Sequence, residues 1–576
     1  MYEELFMDKI RKMDAQFDES FGLLAQELAP WNMGGGGYHT RISGKVHGTA
    51  VPAAYAEYVY AMYAEEYYPH AERILWKLCE IQDQDPASRT YGLWPYYAEE
   101  PCDKMIAPDF NWADFICRHF SFIMKKRAEC IPEDLKAALK RAMALGAACS
   151  IRRNVGADYT NISLMSMNTI VGAAEVNGDA EMMDYARARL ARVLSYDSFC
   201  GAFSEYNSPC YSLIALDETS RMLYLFEDPE CRSMAEELND IAWRILAEHF
   251  DATRAQLAPP HIRAYSDIAD KQILAMIYVG TNGEYGEMSE EYATLTRLPY
   301  FCPEKYRHFF APVRNSRIVD ETYYKKNRLR DPVEDLTIIR NIDSPDLRAM
   351  TEITPAYSMG AFRVLDTWVQ RHNCMVMCGE NDSVAVMRLR CLKKDDSQKE
   401  GYEYDTCMGF VTADMADGTI LGQASLTRDH GDFHYILDKV KDGKYECDGV
   451  FFAFTFAGEL SDLTVSKTER GFRFAMKGIT VDLCIQNAVF AGKEIKPYWD
   501  EEKKRLVLPL FEEHRVFDLY AGEEFSFTFT MAVNKEAPLA EISEKDGIRT
   551  ATLGALSVRS YTAPTDYNTA VLLSAE

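Results

Sequence analysis

Two periodicities divide the chain. From Glu3 to about Ile277, small and apolar residues recur at helical spacing, most clearly in Ala53 to Ala64 (AAYAEYVYAMYA) and Met183 to Leu194 (MDYARARLARVL). Asp134 to Ile151 and Glu236 to Phe250 follow the same pattern. From about Ser358 the spacing changes to alternation, as in Phe525-Ser526-Phe527-Thr528-Phe529-Thr530 and Phe472-Arg473-Phe474-Ala475-Met476. Val450 to Phe456 (VFFAFTF) reads as a strand buried on both faces. Asp417-Gly418 and Lys441-Asp442-Gly443-Lys444 are turn signals between such runs. The pattern predicts an α+β multidomain chain: helices over 1–298, a connector over 299–348 carrying Pro303, Pro312 and Pro332, and an antiparallel β-sandwich over 349–576. It shows no fixed-period solenoid repeat.

The helices are separated by segments dense in Gly, Pro, Tyr, Trp and ionisable residues: 32–37, 90–109, 151–160, 199–211 and 257–267. Segments of that composition build sites more often than they merely connect. Composition narrows the class of site. Aromatic residues make up 12% of the 576, with 34 Tyr and 29 Phe, enough for large cores and for walls on which sugar rings stack. A formal net charge of −26 excludes a generally basic surface for nucleic acid, and an anionic substrate would need a local cationic cluster. The sequence shows no secretory leader and no run long enough to span a bilayer. Its 15 Cys are scattered, odd in number and without CxxC pairs, which fits reduced thiols and a cytoplasmic location.

Four clusters carry candidate chemistry. The first runs from Thr90 through Trp94, Glu99 and Glu100 to Asp109, Asn111, Trp112 and Asp114; it offers stacking rings beside amides and carboxylates. The same residues would serve equally as helix-end packing, with Asp109 as an N-cap. The second, Gly156 to Leu164, places Asn161 either at a cleft rim or as a cap. The third, Phe203 to Tyr211, holds Glu205, Tyr206 and Tyr211, and a phenol becomes an acid or base only beside cations. The fourth, Pro259 to Asp267, supplies such partners in His261 and Arg263, with Tyr265 beside them.

In that order the clusters resemble the toroid-type polysaccharide lyases, the hyaluronate, chondroitin and heparinase-like group. The resemblance implies an incomplete (α/α) toroid followed by antiparallel sheets. Asn111-Trp112 is similar to the start of that family's aromatic patch, and Gly156 to Leu164 to its catalytic asparagine segment, which puts Asn161 in that role. Phe203 to Tyr211 resembles the His/Tyr segment, with Tyr211 on the tyrosine. The family histidine falls on Tyr206, a departure that His261 would repair from the Arg263 segment. Tyr357-Ser358-Met359-Gly360 and Trp368-Val369-Gln370 look like the start of the first sheet in such lyases. The implied chemistry is β-elimination beside a uronate carboxylate without a cofactor. Asn161 and Arg263 would neutralise that carboxylate, Tyr211 or His261 would take the C5 proton, and a tyrosine would protonate the leaving oxygen. Trp94, Asn111, Trp112, Glu205, Tyr206 and Tyr265 would bind an oligosaccharide or polysaccharide, the one partner expected.

Two other readings remain at this point. An inverting glycoside hydrolase needs two carboxyl groups about 6.5–9.5 Å apart, for which Glu99, Glu100, Asp109, Asp114 and Glu205 are a stock. A non-catalytic glycan-binding protein is the other. Gly34 to Gly37 lacks the Gly-Lys-Ser/Thr ending of a phosphate loop, and His39, Arg41 and His47 beside it would border a cleft or lie at the surface. Asp429-His430-Gly431-Asp432-Phe433-His434 reads as a polar turn before a metal site, Lys125-Lys126-Arg127 as a solvated helix face, and Cys374 with Cys378 as core thiols; no metal is expected.

Overall fold

The computed structural model describes residues 2–30, 39–325, 346–397, 399–428 and 443–575. The helical spacing becomes helices α1 (Tyr2–Asp14), α2 (Ala50–Ala61), α3 (Tyr68–Ile81), α4 (Trp112–Lys126), α5 (Glu133–Arg153), α6 (Thr160–Asn177), α7 (Ala180–Cys200), α8 (Tyr211–Leu225) and α9 (Pro229–His249). Their ends follow local rules. Gly178 closes α6 in the left-handed region, the Asp179 carboxylate accepts from Met182 N to open α7, and Asp228 with Pro229 opens α9 in the same way.

Consecutive helices pack in pairs, α2 with α3, α4 with α5, α6 with α7 and α8 with α9, while α6 also touches α4, α5 and α8. Every residue of α6 from Thr160 to Ala174 is buried, so its polar side chains must be answered inside. Asn168 donates to Glu218 of α8 at 2.8 Å. Around it, fully buried Glu57 of α2 accepts from His119 of α4, Arg221 of α8 and Arg297, tying the inner helices through one charge network. The helical half is not purely helical: Phe17–Asp18, Leu23–Leu28 and Gly44–His47 form a small antiparallel sheet.

The second half is antiparallel throughout its two large sheets. One runs in the order Tyr498–Asp500, Arg505–Phe511, Gly449–Gly458, Ser383–Lys394, Arg371–Glu380, Tyr357–Phe362, Asp346–Ile353, Arg317–Lys325. The other runs Val364–Asp366, Gly409–Ala416, Thr419–Leu426, Phe525–Val533, Ile479–Phe490, Gly471–Met476, Thr464–Lys467. Phe454 meets Phe529 and Phe452 meets Phe525 between them, with ring centroids 5.4 and 5.2 Å apart. Cys374 and Cys378 lie in the same apolar core. Ser526, Thr528 and Thr530 face away from that core yet are buried, with Thr530 Oγ1 donating to the Pro538 carbonyl.

Three expectations need revision. The sheet does not wait for the end of the connector: Arg317–Lys325 is already its edge strand and pairs with Asp346–Ile353. Lys125 is not on a solvated face, because its side chain is 4% exposed and bound to Glu175 of α6. Asp429 to His434 lies outside the described residues. The two halves share a core in which Tyr206 packs against Tyr323 and Phe362. Where they meet, Gly360 allows the closest approach: a Cβ there would stand 2.1 Å from the Pro259 carbonyl oxygen.

Candidate active site

The segment following α9 crosses from helices to sheet, and this crossing positions the site. His261–Ile262 pairs with Arg371–His372 of the ten-stranded sheet, while Ile262 N donates to the Tyr206 carbonyl. Asn207 stands in the left-handed region at φ 46° and its amide donates to the Ala258 and Pro260 carbonyls at 2.7 and 3.0 Å. Ser208 Oγ donates to the Arg263 carbonyl at 2.8 Å and accepts from Tyr211 N at 2.9 Å. Arg263 itself sits at φ 65°, a conformation that a non-glycine residue keeps only when its surroundings enforce it. Here they do: Ala264 N donates to the Gln370 carbonyl and Ser208 holds the Arg263 carbonyl.

So placed, the Arg263 guanidinium touches three partners. Its Nε donates to Glu205 Oε1 at 3.2 Å, its Nη1 to Gln370 Oε1 at 2.7 Å, and its Nη2 to the Tyr211 hydroxyl at 3.0 Å. It also lies over the Tyr211 ring, 4.7 Å from the centroid, and 5.8 Å from that of Tyr159. Glu205, buried at the start of the loop, accepts the backbone N–H of Asn161 at 2.8 Å and its side-chain amide at 2.7 Å. Burial pushes the Glu205 carboxyl up, against the pull of Arg263 and Asn161. Burial also pushes the Tyr211 phenol up, and Arg263 opposes it. The Tyr211 and Tyr265 hydroxyls are 2.6 Å apart, and Tyr265 is 59% exposed.

An aromatic wall adjoins this cluster. Trp112 lies against Tyr96 and Phe115, with centroids 4.1 and 5.1 Å away, and its Nε1 donates to Thr49 Oγ1 at 2.8 Å. The Tyr96 hydroxyl donates to Asp109, Asn111 accepts from Arg153, and His39 donates to the Ala107 carbonyl beside Tyr96. Phe115 joins Tyr159, Ile162 and Ile214 in one apolar cluster, which carries the wall from Trp112 to the ring under Arg263.

Asn161, Glu205, Tyr211, Arg263 and Tyr265 thus come together, with Asn111 and Trp112 along the wall. Others do not. Trp94 is a correction: 1% exposed, it donates to the Leu78 carbonyl and packs against Phe120 in the helical core. Tyr206 is another, since it is wholly buried and its hydroxyl meets His249 Nε2 at 2.8 Å. His261 is 1% exposed and its Nδ1 donates to the Asn207 carbonyl at 2.8 Å, so it braces the loop from behind. Burial holds its imidazole neutral, at a pKa of about 4. Among the hydrolase carboxylates, Glu99 is held by His47, Glu100 is buried against Thr40, and Asp109 accepts from Tyr96 and from Asn111 N. Asp114 has no exposed surface at all. Gln370 and Ser208 fall within runs the sequence singles out, Trp368-Val369-Gln370 and Phe203 to Tyr211, but the sequence gives neither a role at the site. Among the described residues, no group of three or more His, Cys, Asp or Glu side chains is arranged to hold a metal.

The architecture is therefore an α-rich half followed by an antiparallel β-rich half, with a polar cluster at their junction. The chain belongs to the family described as Domain of unknown function (DUF8769), whose model matches residues 3–297. No curated protein matches it. Among solved structures it is similar to heparinase III, at 10% identity and a TM-score of 0.39, over 89% of this chain and 82% of that one. It is also similar to a tyrosine-to-alanine mutant of the Streptomyces coelicolor A3 chondroitin AC lyase, at 10% identity and a TM-score of 0.42, over 97% and 84% of the two chains. No helix among the described residues is long and apolar enough to cross a membrane.

Proposed function

We propose that this protein is a carbon–oxygen lyase that cleaves uronate-containing glycans by β-elimination, its helices forming an incomplete toroid whose catalytic face adjoins the β-sandwich. The observation that carries the reading is the Arg263 guanidinium, which joins Glu205, Tyr211 and Gln370 at one point beside an aromatic wall. A phenol serves as a base for carbon acids only where a cation offsets the charge it acquires, and Tyr211 is the phenol so placed. Asn161 and Arg263 hold the carboxylate end of the sugar, and the charge that develops there as the C5 proton leaves falls on them. Tyr211 takes that proton. His261 acts on the site through the Asn207 loop rather than on the sugar. Trp112 with Tyr96 offers a ring face for a neighbouring sugar unit. All fifteen cysteines are free thiols, which suits a reducing compartment, and a cytoplasmic enzyme would receive its glycan as oligosaccharides.

Incubation with a panel of uronate-containing and neutral oligosaccharides tests this. Elimination leaves an unsaturated product with new near-ultraviolet absorbance. New reducing ends without that absorbance would establish hydrolysis instead, and binding without either would establish a glycan-binding protein.

A further inference from the structure

We propose that Tyr265 is the catalytic acid that partners Tyr211, and that this phenol pair confines the enzyme to uronates whose C5 hydrogen and C4 oxygen lie on the same ring face. The proposal rests on the lyase reading and adds a residue and a stereochemical class to it. The resemblance implies a tyrosine as proton donor to the leaving oxygen without saying which, and neither Tyr206, buried against His249, nor His261, sealed behind the loop, can reach a sugar. Tyr265 is the group whose hydroxyl lies 2.6 Å from the Tyr211 oxygen and which is also 59% exposed, able to meet a bound sugar. The Tyr211 oxygen accepts from Arg263 Nη2 at 3.0 Å, and once it is a phenolate the Tyr265 hydroxyl, 2.6 Å away, becomes its second donor.

The proton balance closes within the pair. The Tyr211 phenolate takes the C5 hydrogen as a proton; the electrons of the C5–H bond form the C4=C5 double bond, and the C4–O4 bond breaks. The departing O4 receives the Tyr265 proton and leaves as a hydroxyl. The resulting Tyr265 phenolate then recovers a proton from Tyr211 across their shared hydrogen bond, which restores the starting state without a co-reactant. Two oxygens this close approach the sugar from one side, so the proton removed and the oxygen protonated share a face. D-Glucuronate and D-mannuronate present that arrangement at C4 and C5. L-Iduronate and D-galacturonate present the opposite one.

The test compares the native chain, Tyr265→Phe and Tyr211→Phe on size-matched oligosaccharides of the four uronates, and on a 4-deoxy-4-fluoro glucuronoside whose fluoride leaves without protonation. The expected result is unsaturated product from glucuronate or mannuronate substrates only. Tyr265→Phe should lose about 100-fold or more in kcat with KM little changed, as removal of a general acid does, and regain near-native turnover on the fluoride. Tyr211→Phe should be inactive on both. Full kcat in Tyr265→Phe, an equal loss on the fluoride, or a preference for iduronate or galacturonate would overturn the pair while leaving elimination in place. A native chain that yields no unsaturated product from any substrate would remove the lyase reading and the pair with it.

Discussion

Glu205 grips Asn161 twice over, accepting the backbone N–H at 2.8 Å and placing both carboxylate oxygens within 2.8 Å of the side-chain amide nitrogen. The same carboxylate accepts from Arg263 Nε. One buried acid therefore orients the start of α6 and the crossing segment together.

Glu205→Gln keeps the volume but leaves the largely buried Arg263 without its counter-charge. It is expected to destabilise the fold by about 3–5 kcal/mol, the cost of breaking a buried pair, and to lower turnover at least tenfold. Denaturant unfolding and product absorbance measure the two effects separately.

Tyr206→Phe and Trp94→Phe separate packing from binding. The first removes the hydroxyl that meets His249 and should cost about 1 kcal/mol. The second leaves the Leu78 carbonyl without its donor and opens space in the core, at roughly 1–3 kcal/mol. Neither should change KM for any glycan; a tenfold rise in either variant would return that residue to the binding surface.

Asp114 makes stability pH-dependent. Burial pushes its carboxyl up to about 7, against partial relief from the Ser150 and Thr169 hydroxyls. In the unfolded chain it ionises near the usual 3.8, so between that pH and 7 the folded state binds the extra proton and stability falls as pH rises. Below 3.8 both states are protonated and nothing is lost; above 7 the full cost, of the order of 4 kcal/mol, is present. Asp114→Asn should therefore raise the unfolding midpoint at pH 8 and leave it unchanged at pH 3. Because the group has no exposed surface, turnover should persist.

Under the proposed elimination, Tyr211 as the base has its own pH signature. Its phenol is raised and must be deprotonated to act, so kcat/KM should climb with pH through the neutral and alkaline range. A profile governed by an imidazole would instead level off above about pH 7.

Gly360→Ala probes the junction of the two halves. The added methyl would meet the Pro259 carbonyl oxygen at 2.1 Å and displace the segment that carries His261 and Arg263. A loss of roughly 1–3 kcal/mol is expected, with a fall in activity that exceeds it, because the Arg263 contacts depend on that segment.

Periodicity alone was enough to separate a helical half from an antiparallel one, because amphipathic spacing is a local property that each segment carries in its own residues. Phe525 to Thr530 alternates and is a strand for that reason, Met183 to Leu194 is a helix, and Val450 to Phe456 is legible as a strand from its short unbroken apolar run. The four loops also stood out, since ionisable and aromatic residues in a non-periodic stretch are visible without a fold. Which face each side chain takes is a different matter. Tyr206 and Tyr211 lie five positions apart, one in the loop and one at the start of α8, yet the first is sealed against His249 and the second opens beside Arg263. Trp94 and Trp112 divide in the same way between core and wall. That sorting depends on what arrives from elsewhere: the sheet strand at Arg371–His372 pins His261, and Gln370 reaches Arg263 across 107 positions of chain. A contact that long-range leaves no periodic trace, so only the tertiary structure decided which of these residues come together in the candidate site.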